Sequence, residues 1–97
     1  MTLRFEWDRR KADVNARKHG VTFEQAQTAF FDEHGLIISD PEHSAAEERF
    51  ILLGATTASK LVVVCHCYRD DEDVIRLISA RKATRAERAN YRARSDA

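Results

Sequence analysis

The chain has 97 residues, with 16 Lys and Arg against 16 Asp and Glu, so its formal net charge at neutral pH is zero. This length predicts one domain over residues 1–97 with a single modest hydrophobic core. The sequence contains no run of about 18 apolar residues and no charged-then-apolar leader, which argues against a membrane protein, so we expect a soluble protein of the cytoplasm.

The charges are segregated along the chain. Residues 76–97 contain seven Lys or Arg and two acids, and residues 1–19 contain six Lys or Arg and three acids. The middle of the chain is acidic, as is the short run 70–73. Two basic ends favour an anionic partner such as a nucleic acid, although a cationic stretch can also be a solvated helix face.

The N-terminal third predicts a strand followed by two helices. Residues 3–7 alternate in polarity as a short strand does. Asp8 is a typical N-cap for a helix running to His19, and Gly20 is suited to end that helix in the left-handed conformation. Thr22 followed three residues later by Gln25 has the form of a capping box, which predicts that a second helix begins there.

Four strands are predicted next. Leu36–Ser39 is a short apolar strand before a turn, and residues 49–54, 60–68 and 74–80 are strands joined by short turns. Consecutive strands with short connections predict an antiparallel meander. The last two strands contain stretches that are apolar at every position, which indicates central strands covered on both faces. We expect the two N-terminal helices on one face of the sheet, with the other face left for the C-terminal helix, a partner or a substrate.

The C-terminal run brings together a strand edge, a helix N-terminus and three cations, a combination that suits a phosphate ligand. Thr84 and Glu87 have capping-box spacing and predict a closing helix over residues 84–94. Arg76, Arg81 and Lys82 precede that helix. A helix N-terminus beside several cations is a plausible place to hold a phosphate.

The segment Cys65-His66-Cys67 resembles a metal-binding motif, but its geometry argues against one. In a strand the two cysteines point to one face and the histidine to the other, so the three side chains do not converge on one ion. Two cysteines on one strand are also poorly placed for a disulfide. We interpret them as small buried side chains in a reducing compartment, and we predict no metal and no cofactor.

Arg76 is an unusual residue because it interrupts an apolar strand. An unpaired cation there is costly, so it either pairs with an internal carboxylate or faces an anionic ligand. Arg49 begins another strand, either as a surface ion pair or as a second phosphate contact. Lys11, Asn15 and Lys18 share one face of the first helix, with His19 beside them at its end. This stripe is either solvated or a source of proton transfer. Tyr91 on the closing helix either packs on the sheet or stacks on a base.

Five segments together resemble the BrnT family, the toxins of BrnT/BrnA toxin–antitoxin systems. They are FEWD at residues 5–8, KHGVTFEQA at 18–26, EERFILLG at 47–54, the strand that ends at Tyr68 and Arg69, and VIRLISARKATRAERANY at 74–91. The resemblance implies a RelE-like α+β fold, with an antiparallel sheet, two N-terminal helices and a C-terminal helix. It also implies a ribonuclease that inhibits translation and is neutralised by a ribbon-helix-helix antitoxin.

This family likeness, taken with the residues themselves, leads to a set of site assignments. We expect a metal-independent endoribonuclease whose antitoxin complex is a dimer of heterodimers that binds operator DNA. The expected catalytic residues are Lys18, His19, Arg49, Arg76 and Arg81, and the expected substrate-binding residues are Arg69, Lys82, Arg85 and Tyr91. The alternatives are a non-catalytic nucleic-acid-binding module and a purely structural interaction subunit.

Overall fold

The chain folds as an α+β domain in a computed structural model, in which residues 3–69 and 73–95 are described. Its regular elements are β1 (Arg4–Glu6), α1 (Arg9–His19), α2 (Phe23–Thr28), β2 (Leu36–Ser39), β3 (Phe50–Ala55), β4 (Leu61–Arg69), β5 (Val74–Lys82) and α3 (Arg85–Ser95). Short 3₁₀ turns follow at Ala29–Phe31 and Pro41–His43. Most of the acidic run 70–73, at the predicted turn between β4 and β5, lies outside the described residues. No helix in the described part of the chain is long and apolar enough to cross a membrane.

The five strands form one sheet in the order β1-β5-β4-β3-β2. The predicted antiparallel meander is confirmed, with β4 at the centre. The sheet is mostly antiparallel, as expected; the exception is one edge, where β1 pairs with β5 in parallel, with Arg4 opposite Val74. These two strands are separated by most of the chain, so no local turn signal reports their pairing.

The helix ends follow the signals that their residues carry. The Asp8 side chain accepts a hydrogen bond from the backbone N–H of Lys11 at 3.0 Å, which caps α1. Gly20 ends the helix with a φ of 70°, a conformation that a residue with a Cβ adopts at a cost. Thr22 and Gln25 make both hydrogen bonds of the predicted capping box at the start of α2.

Two apolar clusters lie on opposite faces of the sheet. The first joins the α2 region to the sheet, and its fully buried members include Phe23, Leu52, Val62, Val64 and Leu77. The second is smaller and lies under α3; it consists of Leu53, Leu61, Val63 and Ala83, with Tyr91 of α3 packed against it. The structure therefore places α1 and α2 against one face and α3 against part of the other.

Tyr91 secures α3 through a hydrogen bond as well as through packing. Its hydroxyl donates to the Asp32 carboxylate at 2.6 Å, and the same carboxylate accepts from the backbone N–H of Ala55 at 2.8 Å. The bond to Asp32 raises the pKa of Tyr91 to about 12. Of the two roles considered for Tyr91, the structure shows the packing contact.

His66 lies fully buried in the core between aromatic rings. Its ring lies 4.7 Å from that of Phe30, its Nδ1 is 3.1 Å from the Val64 carbonyl oxygen, and its Nε2 is 3.2 Å from the Tyr68 hydroxyl. Burial lowers the pKa of His66, which keeps the ring neutral in the folded state. Because the folded state keeps the ring neutral, the free energy of unfolding does not depend on this histidine above about pH 6.5. It decreases as the pH falls from there through the lowered pKa, since the unfolded chain then binds the proton more readily.

Asn15 connects α1 to the edge of the sheet. Its side-chain oxygen accepts from the Ala80 backbone N–H at 3.0 Å, and its amide nitrogen donates to the Ala80 carbonyl at 2.8 Å. The same nitrogen donates to the Val21 carbonyl at 3.0 Å. Beyond the short strand β1, the edge of β5 is thus paired with a side-chain amide instead of another strand.

Replacing Asn15 with Ala should destabilise the fold by about 2–4 kcal/mol, because the polar groups of Ala80 and Val21 lose a buried partner worth about 1–3 kcal/mol each. Chemical denaturation measures the free energy of unfolding. Asp13→Ala changes an exposed residue of the same helix and should alter stability by no more than about 0.5 kcal/mol. Equal effects of the two substitutions would show that the Asn15 contacts do not hold α1 to the sheet.

Candidate functional site

A groove of about 260 Å³ opens on the sheet face that α3 leaves partly uncovered. Polar side chains from four segments line it: Asp40 and His43 from the loop after β2, Arg49 before β3, Cys65 of β4, and Ser79 and Arg81 of β5. The groove therefore brings together two of the predicted catalytic arginines, Arg49 and Arg81.

Arg49 contributes to this groove a guanidinium N–H that has no hydrogen-bond acceptor among the described residues. This N–H is that of Nε, which is buried. The backbone is anchored on both sides, since the Arg49 N–H donates to the Ser44 hydroxyl at 2.9 Å and its carbonyl accepts from the Asp40 N–H at 2.9 Å. A buried N–H donor without a partner is costly, so an arginine in this state is suited to receive an anion.

His43 lies at the rim of the groove in a defined orientation. Its Nδ1 is 2.9 Å from the buried carboxylate of Asp40. With Nδ1–H donating to that carboxylate, the lone pair of Nε2 is left to face outward as a proton acceptor. The Ser44 hydroxyl, which donates to the Asp40 carbonyl at 2.6 Å, keeps this loop closed.

Arg81 is fixed in the groove by a paired contact with α3. Its two terminal nitrogens donate to the two carboxylate oxygens of Glu87 at 2.8 and 3.0 Å. The Arg81 guanidinium lowers the pKa of Glu87 to about 2. Since the unfolded value is near 4.5, this pair stabilises the fold above that pH, and the contribution is lost as the pH falls through about 2.

Glu87 also changes the interpretation of the α3 N-terminus. Its carboxylate accepts from the Thr84 backbone N–H at 2.7 Å, while the Thr84 hydroxyl accepts from the Glu87 N–H at 3.2 Å. The capping box is therefore confirmed. The anion at this helix end is the side chain of Glu87, which occupies the position expected for a phosphate. The arginines that could bind a phosphate, Arg49 and Arg81, line the groove beside it.

A bulge in β5 shapes the floor of the groove. Cys65 lies opposite Ser79 and His66 lies opposite Leu77, so Ile78 is an extra residue in the strand. Ile78 and Ser79 line the groove and also a second cavity on the α1 side.

The thiol of Cys65 faces the groove, while His66 points into the core on the other face of the sheet, as expected. Burial raises the pKa of the Cys65 thiol. A raised pKa keeps this thiol protonated, which makes it a poor nucleophile.

The structure places Lys18 and His19 in the second cavity, not in the groove. They adjoin the groove through Ile78 and Ser79 but lie on the opposite side of those residues from His43. The other two residues of the predicted stripe on α1 differ in environment. Lys11 is exposed, whereas Asn15 is buried against Ala80.

Arg76 pairs with a carboxylate of the same chain, which is one of the two alternatives considered for a cation in an apolar strand. Its Nη1 donates to Glu6 of β1 at 2.6 Å. Arg69 lies near the same carboxylate at 3.8 Å and near Glu47 at 3.5 Å. The side chains of Arg76 and Glu6 are 31% and 41% exposed, so their pair contributes at most about 1 kcal/mol to stability.

The other predicted substrate-binding residues are spread around this face. Lys82 lines a small cavity with Ser59 and Arg88, and Arg85 lies exposed in the first turn of α3. Neither lines the groove that holds Arg49.

Asp40 and His43 are functional candidates that the sequence reasoning missed. Their spacing of three residues, in a loop begun by Asp40 and Pro41, places both side chains on one side of a 3₁₀ turn. That spacing is a weak signal, since acids and histidines are common in polar loops. Asp40 and His43 become candidates because they lie beside Arg49 in the groove, a position that depends on the pairing of β2 with β3.

Comparisons with known proteins bear on the family and on the fold. A family profile described as the ribonuclease toxin BrnT of a type II toxin–antitoxin system matches residues 7–87. The structure is similar to the 1.1 Å crystal structure of the Brucella abortus ribonuclease toxin, BrnT, with a TM-score of 0.67 and 20% sequence identity, over 87% of this chain and 100% of that one. At this identity the likeness establishes the fold alone. No curated protein matches the sequence significantly. Because the family profile covers most of its length, the chain belongs to the BrnT family of ribonuclease toxins of type II toxin–antitoxin systems.

Proposed function

We propose that the groove cleaves RNA without a metal ion, by attack of a ribose 2′-hydroxyl on the adjacent phosphorus. The 2′-oxygen gives up its proton and bonds to phosphorus, and the bond from phosphorus to the 5′-oxygen breaks. The leaving oxygen takes a proton. This route requires a proton acceptor, a proton donor and cations for the charge that develops on the phosphate oxygens.

The observation that carries this proposal is the unsatisfied Nε of Arg49, buried in the groove beside the His43–Asp40 pair. A phosphate oxygen at this position would satisfy that N–H. Arg81 would stabilise the same charge from β5, on the other side of β4, and its contact with Glu87 would keep it oriented. Preorganised donors of this kind stabilise a transition state without reorganising during the reaction.

His43 is our candidate for the general base. Asp40 holds its Nδ1 at 2.9 Å, which leaves Nε2 directed toward the substrate. Lys18 and His19, in the adjoining cavity, are our candidates for donating a proton to the leaving 5′-oxygen. Metal-independent chemistry is supported by this set, since each step has a side-chain group to perform it.

The remaining basic residues would guide the RNA strand toward the groove. We propose that Arg69 and Arg76 contact phosphates at one end of the face, with Lys82 and Arg85 doing so near α3. Tyr91 would contribute by holding α3 in place. The alternative of a non-catalytic nucleic-acid-binding module would use the same cations, but it gives no role to the oriented His43–Asp40 pair.

Membership of a type II toxin–antitoxin family implies an antitoxin partner. We propose that the chain is a single RelE-like domain over residues 1–97, that it acts in the cytoplasm and inhibits translation by cleaving RNA, and that its antitoxin is a ribbon-helix-helix protein. Proteins of that class bind DNA as two-fold dimers, which favours a dimer of heterodimers on the operator.

Arg49→Gln should lower the rate of RNA cleavage by about 10²–10³-fold, because it removes a donor to the developing charge. His43→Gln should lower it by about 10²–10⁴-fold through loss of proton transfer. Single-turnover cleavage of an RNA oligonucleotide in excess EDTA measures both rates.

The matched controls are Arg94→Gln and His34→Gln, which change exposed residues outside the groove and should leave the rate unchanged. Wild-type rates in the Arg49 variant would contradict the proposed site. Cleavage that EDTA abolishes and one added divalent metal restores would contradict the metal-independent route.

The antitoxin proposal is tested by co-expressing the chain with its genomic neighbour. The complex should have the mass of two copies of each protein, should bind operator DNA and should no longer cleave RNA. A stable complex that cleaves RNA at the rate of the isolated chain would show that the partner leaves the groove open.

A further inference from the structure

The cavity between α1 and β5 has a composition that the groove chemistry does not explain. It measures about 350 Å³, a size within the range of small-molecule sites. Besides the two proposed proton donors, its walls include Arg10, Lys11 and Val14 of α1 and the bulge residue Ile78. Proton transfer requires at most one of these groups, so the cavity as a whole calls for another role.

The rim of this cavity is strongly cationic. Arg10, Lys11 and Lys18 are exposed along the same side of α1, and none of them forms an ion pair within the described part of the chain. Asp8 lies near Lys11, but it is engaged with the backbone N–H that caps the helix. No Asp or Glu is among the described residues that line the cavity. Three unpaired cations favour an anionic occupant with more than one charge.

The wall of the cavity also has an apolar part. Val14 is 54% exposed in the middle of α1, where a surface helix usually has a polar residue. Ile78, the extra residue of the β5 bulge, lines the same cavity. A bare inorganic anion would not use such a surface, whereas the sugar or base of a nucleotide would cover it while its phosphates contact the cations.

The position of the cavity connects it to the groove. Ile78 and Ser79 line both, so the two hollows meet at the bulge in β5. An RNA strand with its cleaved phosphate at Arg49 can continue past Ser79 into the cavity.

We infer that the cavity between α1 and β5 is a subsite for the nucleotide next to the cleaved phosphate. Arg10 and Lys11 bind its outer phosphate, and Val14 with Ile78 packs against its sugar or base. This inference rests on the proposed cleavage in the groove. It assigns to α1 the binding of substrate flanking the reaction centre.

The test is the binding of an RNA octanucleotide whose 2′-hydroxyls are methylated, so that it is not cleaved. The double variant Arg10→Gln/Lys11→Gln is compared with Arg9→Gln/Arg17→Gln, which removes the same charge from exposed positions of α1 outside the cavity. The dissociation constant is measured over a series of salt concentrations. Each lost phosphate contact lowers the slope of log affinity against log salt by about 0.7 for a single strand.

We expect the cavity variant to bind several-fold more weakly, with a slope lower by about 0.7, because Arg10 and Lys11 contact one phosphate. The control should match the wild type. In cleavage assays on unmodified RNA the cavity variant should raise KM, with a smaller effect on kcat. Equal binding and equal slopes for the two variants would overturn the subsite.

A cavity variant that keeps RNA binding but loses its antitoxin would also overturn the subsite, because it would assign the cavity to a protein partner. The binding assay does not depend on cleavage. A wild-type protein that binds the octanucleotide through the cavity but cleaves no RNA would therefore reject the proposed function and retain this site.

Discussion

The hydrogen bonds between Asn15 and Ala80 are the constraint on which both hollows of this protein depend. Beyond β1, the edge of β5 has backbone groups that must be paired, and one buried side-chain amide satisfies the N–H and C=O of Ala80 together. This contact fixes the distance between α1 and the bulge at Ile78 and Ser79. It thereby positions Lys18 and His19 against the far side of the strand that forms the floor of the groove.

The opposite face of the sheet is divided by the way α3 is attached. Tyr91 holds the helix through Asp32, and Glu87 holds it through Arg81. Both contacts lie at one end of the sheet, so the helix covers Leu53, Leu61 and Val63 and leaves Cys65 and Ser79 on the open part of the face. The open part is where basic side chains from separate strands converge.

Local signals predicted the elements, because caps and turns depend on neighbouring residues. Asp8, Gly20 and the pair Thr22 and Gln25 each act within four positions, and each marks the helix end that was expected. The unpredicted features depend on residues far apart in the chain. Glu6 pairs with Arg76 across 70 positions, and the parallel pairing of β1 with β5 goes with that contact.

The site residues were also predictable only where no distant contact decides their position. Arg49 was identified at the start of a strand and Arg81 just after one, and the structure brings them together in the groove. Asn15 was grouped with a helix stripe of lysines, because its partner Ala80 is 65 residues away. His43 carried only the weak signal of its spacing from Asp40, since its proposed role depends on the buried Asp40 and on Arg49 beside it. Family likeness indicated the activity, whereas the proposal of His43 as the base rests on the packing alone.

The central claim is that this groove cleaves RNA through the ribose 2′-hydroxyl. The most direct measurement is mass spectrometry of the fragments that the purified protein releases from an RNA oligonucleotide in excess EDTA. The account predicts a 2′,3′-cyclic phosphate on one fragment and a 5′-hydroxyl on the other, and no cleavage where a single 2′-deoxy nucleotide replaces the attacking ribose. Fragments that end in a 3′-hydroxyl and a 5′-phosphate would show attack by water, as in metal-dependent nucleases, and would contradict it.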